Sequence, residues 1–170
     1  MHVPLGNLET TAALGSGHDE LFALLARHLA QAVHGGLLTI LAPNDSGTRL
    51  IRCYSNRPDQ FPLDGGDDVE DNRWFQHIFR DKQPVIANDD EEIREWLPGF
   101  TNAKSLGYES LLNFPIVMAG EVVGLINIMA RRGHFDKRRL EVVEELAPLA
   151  ALALAARSRR LPTIRLHGGR

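Results

Sequence analysis

At 170 residues the chain suits one domain with a single sizeable core, and its 44% apolar and 24% charged residues are those of an ordinary globule. A net charge of -3 offers no broad attraction to nucleic acid or to an anionic membrane, and no apolar run approaches the roughly twenty residues that cross a bilayer. The single cysteine, Cys53, excludes an internal disulfide, a multi-cysteine metal site and a dithiol redox mechanism within one chain.

The start, MHVPLGNLETT, has neither a basic n-region nor an apolar h-region, so a cytoplasmic location is expected. Residues 1–15 read as an N-terminal lead-in, either frayed or with a short helix around Leu8 to Leu14. Ser16 is placed to cap a helix from about His18 to His34, with Asp19 in the position of a capping-box acid. Leu21, Phe22, Leu25, Leu29, Ala32 and Val33 fall on one stripe of it, and Gly35-Gly36 ends it.

Leu37 to Ala42 predicts a buried strand, Pro43 to Gly47 a turn, and Thr48 to Ser55 the hairpin partner, whose Arg49 and Arg52 suit an edge. Cys53 reads as a small core or edge residue, since nothing nearby in sequence lowers its pKa. Residues 56–72 read as loop. The acids of DGGDDVED lack the alternate-residue spacing of a calcium loop.

Arg73 to Arg80 predicts a short helix that buries Phe75, Ile78 and Phe79, and Gln83 to Asn88 a short strand with Pro84 at its start. The run Asp89-Asp90-Glu91-Glu92 complements a helix dipole and opens a further helix containing Ile93, Trp96 and Leu97. Pro98-Gly99 stops it.

From Glu109 to Met129 two apolar runs flank Met118-Ala119-Gly120-Glu121, the pattern of a β-hairpin with Ala119-Gly120 as its turn. Uninterrupted pairing from Met118 opposite Glu121 puts Ser110, Leu112, Phe114 and Ile116 on one face with Val123, Leu125, Asn127 and Met129. The other face then carries Leu111, Asn113, Val117, Val122, Gly124, Ile126 and Ile128. Both faces are apolar, so the hairpin must be covered on both sides.

Asp136 is the expected cap of a long helix from about Lys137 to Arg157, with Leu140, Val143, Leu146, Leu149, Ala150, Ala153 and Leu154 at helical spacing. Pro148 inside it is expected to bend it and to remove one backbone bond. Residues 158–170 read as a basic C-terminal tail.

The order of helices and strands describes an α+β sandwich. The phrase SLLNFPIVMAGEVVGLINIMARRGHFDKRRLEVVEELA resembles the C-terminal signature of GAF domains, with Ser110, Leu112, Pro115, Gly124, Leu125, Asn127 and Phe135 at the matching positions. The resemblance extends back to the first helix, and the domain is taken as 16–157. It implies an antiparallel sheet in the order 2-1-5-4-3, terminal helices on one face, and a helix and loop lid closing a ligand pocket on the other.

Trp74, Phe75, Trp96, Phe100 and Tyr108 all fall in the covering segments, and aromatic walls with a few polar groups suit a small-molecule site. Asn127 and Ser110 are the polar candidates of the hairpin, with Leu112 and Met129 on the same predicted face and Asn88 at the end of the third strand. These ten residues are the predicted ligand-binding set. The alternative for the aromatics is that they fill a lid core, and for Asn127 that backbone groups satisfy its amide.

Within the resembled family, cyclic-nucleotide binders carry an Asn-Lys pair before the phenylalanine and Asp-Glu four residues after it. Here Ala130-Arg131 precedes Phe135, and Arg139-Leu140 stands where the acids belong. Bilin binders use a thioether cysteine, but Cys53 lies in an early strand. Relatives that reduce free methionine sulfoxide use lid cysteines and strand acids, where this chain has no lid cysteine and carries Asn127 and Met129.

No serine-hydrolase elbow, phosphate loop or paired-histidine zinc motif is present. The chain is therefore expected to be a non-enzymatic sensory domain that binds a small molecule of unknown identity. It is expected to signal through its terminal helices and a homodimer. The other reading is a ligand-free scaffold for dimerisation or partner docking. The methionine start and the HGGR end suggest a complete short protein that acts on a separate signalling protein, with no metal, nucleic acid or membrane involved.

Overall fold

A computed structural model describes residues 17–34, 36–98 and 104–158. The lead-in 1–15, the Ser16 cap, Gly35, Phe100 and residues 159–170 of the basic tail lie outside the described residues.

Helix α1 (His18–Val33) is followed by β1 (Leu37–Pro43), β2 (Arg49–Ser55) and a short β3 (Gly66–Asp68). Next come α2 (Arg73–Phe75), which widens into a π-helical turn at Gln76–Arg80, then β4 (Val85–Ala87) and α3 (Asp90–Trp96). A 3-10 turn (Lys104–Leu106), the hairpin β5 (Ser110–Met118) and β6 (Glu121–Ala130), and α4 (Lys137–Arg157) complete it. The sheet has the order β3-β2-β1-β6-β5-β4, and its strand pairs are antiparallel. Over the five expected strands this is the predicted order. The sixth, Gly66–Asp68, arises within the segment expected to be loop and covers Arg49 to Ile51. Strand β2 is thus not the edge that its arginines suggested.

Both terminal helices lie on one face. Leu21, Phe22, Leu25 and Leu29 of α1 meet Val143, Leu146, Leu149, Ala150 and Ala153 of α4 over Leu38, Ile40, Leu112, Ile116, Ile126 and Ile128 of the sheet. Helix α4 has its expected bounds because Asp136, in extended backbone, accepts from the Arg139 amide with its carboxylate. Helix α1 begins differently: Gly17 is its N-cap and supplies no side-chain bond. At its other end His34 turns left-handed at φ 53°. Of Phe75, Ile78 and Phe79, expected to be buried, only Ile78 is fully so.

Asp89 caps α3 by accepting from the Glu91 and Glu92 amides at 3.0 Å each. The Glu92 amide bond foremost, joined by the Glu91 bond and the Arg132 guanidinium, holds its carboxyl below the usual carboxylate pKa against the opposing effect of burial. A pKa lower in the fold than in the unfolded chain stabilises the fold above the ordinary carboxylate pKa, and that stability is lost as pH falls through the depressed value. In a thermal melt series from pH 6 to pH 2, Asp89→Asn should therefore flatten the acid limb. An unchanged acid limb would show that the cap is not charged in the way described.

The hairpin corrects the predicted register. Ala119 (φ 51°) and Gly120 (φ 82°) do form the turn, and Met118 faces Glu121. Val117 then pairs with Val122 but Ile116 with Gly124, so Val123 is an extra residue on β6. Beyond this bulge every pairing moves by one, and one step in a strand exchanges its faces. Leu112 and Ser110, expected beside Asn127, lie on the opposite face: Leu112 is in the helix-side core, and Ser110 pairs with Ala130 of that core. Asn113, expected opposite, pairs with Asn127.

A second bulge sits in β2. Ile40 pairs with Tyr54 and Leu41 with Arg52, which leaves Cys53 as the extra residue. The irregularity leaves both Cys53 and Tyr54 on the helix-side core, while Arg52, in step with Leu50, faces the lid.

Candidate functional site

On the lid face the central strands carry leucines, one methionine and a row of polar residues. Thr39 of β1 pairs with Asn127 of β6, which pairs with Asn113 of β5. Chain direction and strand pairing align the three side chains across the sheet. Thr39 is 1% exposed and Asn113 3% exposed, so each polar atom needs a partner from the protein or a ligand.

The row supplies them in sequence. Trp74 Nε1 donates to Asn113 Oδ1 at 2.8 Å, Asn113 Nδ2 to Asn127 Oδ1 at 2.8 Å, and Asn127 Nδ2 to Thr39 Oγ1 at 3.0 Å. The indole reaches the sheet because Asn72 caps α2 and accepts from the Phe75 amide, fixing the first turn on which Trp74 stands.

Two apolar clusters flank this row. One joins Leu37, Ala87, Ile93, Tyr108, Leu111 and Met129. The other joins Leu41, Leu50, Ile78, Val85 and Leu125, with Trp74 packed against it. Between them lies a cavity of about 330 Å3 whose floor is Thr39, Asn113 and Asn127. Its walls include Leu41, Leu111, Leu125, Met129, Phe61 and Leu97, and its rim carries Asp67, Asp68 and Glu70. Arg52 also lines it, with Nη1 donating to the Pro62 carbonyl at 2.8 Å and the guanidinium 5.5 Å from the Phe61 ring centre. Asp68 is ion-paired to Arg49 at 2.9 Å. Aliphatic walls around a few directed polar groups are the make-up of small-molecule sites.

Of the ten predicted residues, Trp74, Asn127 and Met129 line this cavity. Phe75 stacks on Phe79 at 4.9 Å, and Trp96 lies between the Arg73 guanidinium at 4.2 Å and the His77 ring at 4.8 Å. Both pack within the lid. Tyr108 is buried in the first apolar cluster. Asn88 is a staple: it donates to the Phe135 carbonyl and accepts from the Phe135 amide, both at 2.9 Å, tying β4 to the start of α4. Ser110 donates to the Arg131 carbonyl at 2.7 Å, and Leu112 faces the helices. Phe100 lies outside the described residues. Thr39, Asn113 and Arg52 were missed. The signal that marks the first two is one polar residue in each of two otherwise apolar strand cores.

Cys53 is 8% exposed and belongs to the helix-side core, where burial pushes its thiol pKa up, offset in part by Arg157 and the Ala42 backbone. A protonated, covered thiol is a poor nucleophile. The folded protein should react with a thiol reagent at pH 7.5 at least about a hundredfold more slowly than the urea-unfolded chain, because labelling then waits on opening. Equal rates in the two states would place Cys53 at the surface. Among the described residues no group of three or more His, Cys, Asp and Glu side chains could hold a metal ion, and no helix is long and apolar enough to cross a membrane.

A family profile described as GAF domain matches residues 16–155. No curated protein matches the chain. Among solved structures, the chain is similar to the GAF domain of a phosphoenolpyruvate-protein phosphotransferase from Coxiella burnetii, with 18% identity and a TM-score of 0.67 over 88% of this chain and 90% of that one. It is also similar to the second GAF domain of DevS from Mycobacterium smegmatis, at 21% identity and a TM-score of 0.59 over 85% and 99% of the two chains. A domain of a two-component sensor histidine kinase protein from Sinorhizobium meliloti matches at 16% identity and a TM-score of 0.62, over 85% and 97%.

Proposed function

Since the chain belongs to the GAF domain family, we propose that it is a non-enzymatic sensory module of the cytoplasm whose lid-side cavity binds a small molecule. The observation that carries this reading is the cavity of about 330 Å3 with a directed polar row along its floor. Similarity to domains of a sensor histidine kinase and of a phosphotransferase supports a regulatory setting.

A route for the signal follows from the sheet. Thr39 and Asn127 face the cavity, while their neighbours Leu38, Ile40, Ile126 and Ile128 face α1 and α4. A ligand that shifts β1 against β6 moves the seat of both terminal helices, and a homodimer mate or a separate signalling protein reads the change there. Only a ligand with different affinity for two such arrangements would do this.

A specific feature also favours the scaffold reading. Each amide of the row already has a partner for its oxygen and one for its nitrogen within the protein, so the row holds together without a ligand. Native mass spectrometry of the purified protein, set beside its denatured mass, separates the two. A specific excess mass, lost in Trp74→Ala or Asn127→Leu, is the result expected of a sensor. An empty protein that gains no thermal stability from a metabolite library would leave dimerisation or docking as the function.

A further inference from the structure

The cavity floor selects by hydrogen-bond direction, and the geometry points to a neutral carbonyl compound with a small apolar body as its occupant; this rests on the cavity being a ligand site. Trp74 sets the direction. An indole N–H only donates, so Asn113 must present Oδ1 to it and Nδ2 to Asn127. Asn127 must then present Oδ1 to Asn113 and Nδ2 to Thr39. Turning either amide over would set donor against donor or acceptor against acceptor.

The Thr39 hydroxyl accepts from Asn127 and still holds its own proton, with no other side-chain partner among the described residues. Each asparagine also keeps a second amide hydrogen. The row thus runs out in donors beside the apolar walls Leu41, Leu111, Leu125 and Met129. The oxygens keep spare lone pairs too, but a buried N–H or O–H without an acceptor is the rarer and costlier state, so the floor is best completed by a ligand that brings an acceptor.

A carboxylate would also accept, but the floor residues include no cation, so a charge seated on the floor exchanges its hydration for neutral donors only. The cation of the wall, Arg52, donates Nη1 to the Pro62 carbonyl and lies over Phe61, but its buried Nε has no partner among the described residues, so the anionic probe below tests whether it draws a carboxylate instead. At the rim, Asp67 and Glu70 have no ion pair among the described residues, and their charge opposes an entering anion. The volume, at the low end of the roughly 300–1,000 Å3 of small-molecule sites, suits a body of one ring.

Probes of one shape test this: acetophenone as acceptor, ethylbenzene with no polar group, benzylamine as a cationic donor and benzoate as an anionic acceptor. Binding is followed in the 15N-labelled protein through the indole N–H resonances of Trp74 and Trp96. Acetophenone should bind about tenfold more tightly than ethylbenzene, the yield of one neutral hydrogen bond, and should shift the Trp74 resonance. Thr39→Val removes the hydroxyl donor and should lower the preference, and Thr39→Ser should keep it.

Equal binding of ethylbenzene, tightest binding of benzylamine or benzoate, or a preference unchanged in Thr39→Val overturns the inference while leaving a ligand site in place. Failure of all four probes to bind at millimolar concentration removes the ligand-site reading along with it.

Discussion

Asn113→Leu should lower stability by about 2–4 kcal/mol, because it strands two partners in the cavity floor at once. Trp74 Nε1 loses its acceptor and Asn127 Oδ1 its donor, while the leucine restores only the volume. At about 2–4 °C per kcal/mol for a chain of this size, the melting temperature should fall by roughly 5–15 °C. The loss should be coupled: Trp74→Phe removes the stranded donor, so the double variant should lose less than the sum of the singles, by about 0.5–3 kcal/mol. Strictly additive losses would mean that the indole and the amide do not meet.

Gly36→Ala should be at least as damaging, costing about 3 kcal/mol or more from two independent sources. Gly36 has φ 117°, where side chains are rarely accommodated, and a Cβ there would fall well inside contact distance of the Met129 carbonyl oxygen. The obstacle is backbone, so no side-chain rotation relieves it. The site lies where β1 enters the sheet beside β6, with Leu37 paired to Met129, and Asn56 holds it by donating to the Gly36 carbonyl and accepting from the Leu38 amide. Strand β1 would have to move, carrying Thr39 with it. Gly47→Ala is the control: it too has positive φ, at 70°, but nothing stands within 4 Å of its added Cβ. It should cost about 1–2 kcal/mol, the left-handed penalty alone. Similar losses at the two glycines would show that the close approach to Met129 is not what matters.

The sequence by itself determined the long helices and five of the six strands in their order, for reasons local to each. Asp136 and Asp89 start helices because their carboxylates reach amides two or three residues on, and Ala119-Gly120 closes the hairpin because both adopt positive φ. The apolar character of both hairpin faces called for cover on each side, and both covers are present. The sequence also placed Trp74, Asn127 and Met129 in the neighbourhood of a cavity.

Only the tertiary structure decided which side chains meet there. A strand alternates its faces every residue, so the single extra residue Val123 exchanges the faces of everything beyond it. With apolar residues on both faces, the pattern holds no mark of that exchange. It turned Ser110 and Leu112 away from the lid and brought Asn113 opposite Asn127, and on β2 the extra Cys53 set Tyr54 on the same helix-side face as itself. The short β3 was equally hidden, since three residues rich in glycine and aspartate acquire a strand's geometry only from the β2 edge they pair with. The floor of the cavity is a product of register, and register is settled by how sheet, helices and lid pack together.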